Sequence, residues 1–165
     1  MSSARFEHFI FGIALWVAYL YLKRQRGDGL LLHPVALAVT VPVLYVGTAL
    51  PDWDITVFGI GGHRNPLFHS SIPYFCLAWL WRKLGLAEVV HNIGGPRLGL
   101  AFHVALTLGL ASHMVLDIWQ YGNVRWIPGG TLDRLWLSGH ALLLGLIAWY
   151  PQYVLSIAAK PRGTL

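Results

Sequence analysis

The sequence predicts an all-α fold, a polytopic membrane helix bundle of about five transmembrane helices that forms a single integral membrane domain over residues 1–165. Two observations carry that prediction. Hydrophobic residues make up 56% of the chain and charged residues only 12%, with a mean hydropathy of +0.56, whereas soluble domains are about a quarter charged. The apolar residues also fall in stretches close to the roughly 20 residues that one helical crossing needs. This composition excludes a disordered chain. A lone cysteine, Cys76, can form neither an internal disulfide nor a thiolate metal site.

The first stretch, Phe6 to Leu22, stops at Lys23-Arg24-Gln25-Arg26, and no small-residue cleavage site follows, so it reads as a retained helix with its basic end in the cytoplasm. The second runs from about Leu30 to Leu50. Pro34 lies in its first turns, Pro42 predicts a kink midway, and Pro51 ends it. A third begins near Ser70 and ends at Trp81-Arg82-Lys83, and a fourth runs from about Leu98 to Trp119. The fifth extends from about Leu135 to Ala159, before Lys160 and Arg162. Asn123 to Trp136 reads as an interfacial loop over the outer face. Gly12, Gly47, Gly109 and Gly145 permit close helix packing without identifying the partner helix.

Five crossings alternate the loops between two faces. One face collects eight of the twelve lysines and arginines against Asp28 and Glu88, while the other holds four basic residues against five carboxylates. The basic excess marks the cytoplasmic side and puts the N-terminus outside. Contact with anionic lipid then accounts for the net charge of +5, and no basic stripe with interleaved aromatics points to nucleic acid. Tyr19, Tyr21, Trp79, Trp81, Trp119, Tyr121, Trp126 and Trp136 lie near span ends, where interfacial anchoring explains them.

Polar residues that a membrane makes expensive point to a site. His8 lies in the first turns of the first stretch, Asp52 and Asp54 follow the second, His63, Arg64 and His69 precede the third, and His113 and Asp117 end the fourth. All fall on the outer face. His113 and Asp117, four apart, share one side of a helix. Asp52 and Asp54, two apart, would point the same way in an extended turn, and such close carboxylates repel unless a cation or proton intervenes. Nitrogen donors mixed with carboxylates suit zinc, manganese or iron better than calcium. The candidate metal ligands are His8, Asp52, Asp54, His63, His69, His113 and Asp117, enough for two ions or for one ion with supporting partners. The bland alternative is helix capping by the aspartates and an Arg64 salt bridge to Asp52 or Asp54. His140 is an eighth candidate, while His33, His91 and His103 fall toward the other face.

Taken in order, Glu7-His8-Phe9-Ile10-Phe11-Gly12, Leu50-Pro51-Asp52-Trp53-Asp54, Gly62-His63-Arg64 with His69-Ser70, and Ser112-His113-Met114-Val115-Leu116-Asp117 resemble the motifs of the YdjM-type predicted membrane-bound metal-dependent hydrolases. The resemblance covers most of the chain. It implies a small multi-pass protein of the bacterial inner (cytoplasmic) membrane that holds a divalent metal. The family spaces its loop His-Arg-Gly-x-Thr-His-Ser, whereas Asn65-Pro66-Leu67-Phe68 stands between Arg64 and His69 here, one residue longer and without the threonine.

On that reading the metal, zinc in first place, ionises water and polarises an ester or phosphoryl oxygen of a lipid or lipid-linked phosphoester at the outer membrane surface. Arg64 would hold a phosphate or offset developing charge, an unligated aspartate or histidine would act as general base, and Asp54 joins Arg64 as a catalytic candidate. The partners expected are membrane lipids. A rival from another class is a non-catalytic accessory subunit of a larger photosynthetic or respiratory membrane complex, with helical histidines ligating a haem or chlorophyll-type pigment. A bound ion in the isolated protein favours the enzyme, and stoichiometric co-purification with larger partners favours the subunit. A di-iron oxygenase is disfavoured because closely spaced, repeated histidine boxes are lacking.

Overall fold

The computed structural model describes residues 3–26, 34–121, 124 and 130–151, and among them the regular structure is helical, with no strand. Six α-helices follow one another: α1 (Ser3–Gln25), α2 (Pro34–Ala49), α3 (Trp53–Phe58), α4 (Ile72–Lys83), α5 (Leu86–Gln120) and α6 (Thr131–Trp149). A 3-10 turn, Ile60–Gly62, follows α3. The long α5 is the central element and packs against α1, α2, α4 and α6.

Apolar side chains build two neighbouring cores. Trp16, Tyr19, Leu44, Val104 and Ala148 join α1, α2, α5 and α6 toward one end. Leu50, Tyr74, Leu110, Met114, Leu137 and Leu144 fill the other. Apolar residues also cover the outside, among them Ile10, Val17, Trp79, Leu142 and Leu146, as expected of a bundle solvated by lipid rather than water. Helices α2 and α5 touch backbone to backbone at two glycines. A Cβ on Gly47 would stand 2.6 Å from the Leu106 carbonyl oxygen, and one on Gly109 2.5 Å from that of Leu44. Gly145, by contrast, has open space where a Cβ would go.

The spans differ from expectation in length. Among the described residues two stretches, Arg5–Gln25 and Leu98–Gln120, are long and apolar enough to cross a membrane, and Ala38–Ala49 is a shorter apolar helix. With 12 residues, α4 reaches only about 18 Å, well short of a hydrocarbon core of roughly 30 Å. Helix α5 begins at Leu86 rather than Leu98 and continues through Gly94-Gly95-Pro96, where a loop was expected. Helix α2 runs on through Pro42. The start of the second stretch at Leu30, His33, most of the loop around Trp126, and the end of the fifth stretch lie outside the described residues.

Chain direction alternates, so one end of the bundle gathers the start of α1, the ends of α2 and α5, and the starts of α4 and α6. At the opposite end the Tyr19 hydroxyl donates to the Ala148 carbonyl at 3.0 Å and Lys23 Nζ donates to that of Trp149 at 3.1 Å. The Lys23 and Arg26 cations stand 4.9 and 4.8 Å from the Trp149 ring centre. Tyr19 is thus a buried tie between α1 and α6 rather than an interfacial anchor.

Candidate metal centre

The end of the bundle that gathers these termini carries the polar residues. His8 projects from the second turn of α1, and its ring lies against that of His113 from α5, with centres 4.2 Å apart. Asp117, one turn further along α5, is shared by three imidazoles: its Oδ1 is 3.3 Å from His8 Nε2, and its Oδ2 is 3.3 Å from both His113 Nε2 and His69 Nε2. Asp52 Oδ1 stands 3.8 Å from His113 Nε2 and 4.0 Å from His63 Nε2. All seven residues singled out in the sequence therefore meet in one cluster. It divides into two groups of converging donor atoms, His8–His113–Asp117 and Asp52–His63–His69, linked by the His69–Asp117 and His113–Asp52 approaches.

The aspartate pair departs from its expected geometry. Asp52 has helical dihedrals and Asp54 lies in the first turn of α3, so the segment is helical, not extended. Positions two apart on a helix diverge by about 200°, and the two carboxylates accordingly face different ways. Asp52 looks toward His113, His63 and Arg5, whose Nε is 3.6 Å from Asp52 Oδ2. Asp54 turns inward and is fully buried. Its Oδ1 accepts from His63 Nδ1 at 3.1 Å, and its Oδ2 accepts from the Asn65 backbone N–H at 2.9 Å while facing His69 Nδ1 at 3.4 Å. Burial opposes ionisation of this carboxyl, but His63, His69 and the Asn65 N–H outweigh it and hold Asp54 well below the usual carboxylate range. The same contacts fix the loop, in which Asn65 Oδ1 also accepts the Leu67 N–H at 2.9 Å.

These second contacts decide which imidazole nitrogen faces the cluster. His113 Nδ1 lies 2.7 Å from the Thr48 carbonyl oxygen, an acceptor only, so Nδ1 carries the hydrogen and a neutral ring leaves an Nε2 lone pair toward Asp117. Asp54 acts likewise on His63, whose Nδ1 it meets at 3.1 Å, and stands 3.4 Å from His69 Nδ1 at ion-pair distance. His69 lies between two carboxylates. Burial works against its charged form, yet Asp117 and Asp54 raise its pKa to about 9.

A divalent metal fits this donor set. Both ring nitrogens of His69 and the Oδ2 of Asp117 are buried and close to one another without making hydrogen bonds, so the atoms converge at ion-pair distance but not with hydrogen-bond angles. Two ligands about 2.0–2.1 Å from one ion at tetrahedral angles stand about 3.3–3.4 Å apart. The three approaches to Asp117 have that spacing, at 3.3 Å each.

Other expectations resolve around the cluster. His140 lies outside both donor groups: its Nδ1 accepts the Ser71 N–H at 3.3 Å and the Ser71 hydroxyl at 3.0 Å. Trp136 Nε1 donates to the His69 carbonyl at 3.0 Å, which ties α6 to the ligand loop in place of an anchoring role. Arg5, which stands beside Asp52, and Thr48, which acts through a backbone carbonyl, were not anticipated; a main-chain acceptor leaves no side-chain signature.

Residues 4–129 match the family described as YdjM inner membrane protein, and the chain belongs to that family. No curated protein and no solved structure gives a significant match.

Proposed function

We propose that this member of an inner membrane protein family is a metal-dependent hydrolase, acting at the outer, periplasmic face on a lipid or lipid-linked phosphoester. The observation that carries the reading is the convergence on Asp117 of three imidazoles from three separate segments, with ligand-like spacing and, at His113, an Nδ1 hydrogen bond to the Thr48 carbonyl that aims Nε2 inward. We assign His8, Asp52, His63, His69, His113 and Asp117 as ligands, with two donor groups that match two ions or one ion and its supporting partners. Zinc is our first choice, with manganese or iron as alternatives. Such an ion, when bound, supplies a Lewis acid and a means of ionising water near neutral pH.

The chain's own groups do the rest. Asp54 is fully buried, with each oxygen already engaged by the ligand loop, so we assign it to positioning rather than to ligation or base catalysis. Arg64 lines the cavity beside Asp52, His63 and Asp117 and offsets charge that develops on the substrate. About five crossings with the donors outside remain part of this proposal, supported by the lysine and arginine bias and by alternating helix direction. Metal-loaded protein incubated with lipid and lipid-linked phosphoesters and followed by phosphorus NMR is expected to release product, and Asp117→Asn is expected to abolish it. Failure of the metal-loaded protein to turn over any of them would overturn the reading.

A further inference from the structure

The cluster opens on a cavity of about 290 Å³, lined by four of its donor residues together with Arg5, Arg64, Ile55 and Tyr121. Arg64 has a φ of 62°, the left-handed region that a residue with a side chain adopts only when its surroundings impose it. Its guanidinium carbon lies 3.7 Å from the centre of the Tyr121 ring, a cation–π contact that holds the side chain beside the cavity. Arg5 enters from α1 with its Nε 3.6 Å from Asp52 Oδ2. Two guanidiniums from distant parts of the chain therefore share one small cavity with the donors. A planar fork matches the oxygens of a phosphate, and guanidiniums beside a divalent-cation centre favour a dianion over a diester monoanion.

The segment that supplies Asp52, Asp54 and His63 also carries an apolar edge. Trp53, Val57, Phe58 and Ile60 are all exposed, Ile60 by 73%. An edge of this kind beside a charged cavity suits a ligand with a polar head and an apolar tail.

We infer that Arg5 and Arg64 form a phosphate subsite that takes the terminal, doubly ionised phosphate of a membrane-held molecule and presents it to the donor cluster. The inference rests on the hydrolase reading and narrows its substrate to phosphate monoesters. Calorimetric titration of the detergent-purified full chain with dioctanoyl phosphatidic acid, inorganic phosphate and dioctanoyl phosphatidylcholine tests it, with metal content read on the same samples. Phosphatidic acid is expected to bind at least tenfold more tightly than phosphatidylcholine. Arg5→Gln and Arg64→Gln should each weaken it at least tenfold at unchanged metal content, and Arg64→Lys, which keeps the charge but loses the planar fork, should restore only part of the loss. Tighter binding of phosphatidic acid than of inorganic phosphate assigns the subsite to a lipid headgroup, and equal binding assigns it to free phosphate. Absence of phosphate binding, or binding that neither glutamine variant alters, would overturn the inference. Wild-type protein without metal would instead undo the hydrolase reading, and the phosphate titration, which needs no turnover, would still decide the subsite.

Discussion

Asp54 and His69 set the chemistry of the centre at the residue scale. With its oxygens engaged by His63 and the Asn65 N–H and facing His69, Asp54 orients the ligand loop as a unit. Asp54→Asn keeps the volume but replaces one acceptor oxygen with a donor, and a supporting partner of this kind is worth about 10–100-fold in metal affinity. A fall of that size in a chelator-competition titration is expected, and unchanged affinity would contradict the positioning role. The raised pKa of His69, about 9 against an ordinary 6.5, has two consequences of defined sign. In chelator-treated protein its proton stabilises the fold fully below about pH 6.5 and is lost through about 9, so the melting temperature should fall across that window. A metal at Nε2 competes for the same site, so zinc affinity should rise with pH over the same range, and His69→Gln should flatten both profiles. The seven cluster residues were legible in the sequence because ionisable groups at one membrane depth are costly without a shared purpose. Their division of labour was not, because it depends on Asp54 lying on a helical turn and on the backbone carbonyl of Thr48.

Among the elements, the α2–α5 crossing holds the centre in register. Contact at Gly47 and Gly109 brings the two backbones together next to Thr48 on α2 and one turn before His113 on α5, where the Thr48 carbonyl meets the His113 ring. Gly109→Ala inserts a methyl group 2.5 Å from the Leu44 carbonyl oxygen and should destabilise the protein by about 1–3 kcal/mol, read as a lower melting temperature in detergent, with weaker metal binding. Gly145→Ala, which meets open space, is the control and should be neutral. Hydropathy located α1, α2, α4, α5 and α6 but misjudged the extent of α5. A Gly-Gly-Pro run reads as a break, yet α5 continues through it, with Leu86, Val89 and Ile93 exposed along its early turns. The third stretch, read from Ser70 to Lys83, is recovered as α4 with only Ser70 and Ser71 left in the preceding loop. The partner of each small residue could not be read either, since glycines at Gly47 and Gly145 look alike until the neighbouring helix is in place.

For the molecule as a whole, the basic and polar ends are separate machines on one bundle. Lys23 and Arg26 clamp Trp149 at one end, while the opposite end assembles imidazoles and carboxylates from α1, α3, the following loop and α5. Three aspartates this close are held together by their imidazole partners and by Arg5, and a divalent cation would relieve their repulsion further. Membership of an inner membrane family agrees with the lipid-facing exterior. The central claim is that the cluster is a metal centre, and metal content by plasma mass spectrometry tests it most directly. Detergent-purified wild-type protein should carry one or two equivalents of zinc, manganese or iron per chain, and a folded Asp52→Ala, His113→Ala double variant should carry none. No bound ion in the wild type after metal supplementation, or equal metal in the double variant, would contradict the account.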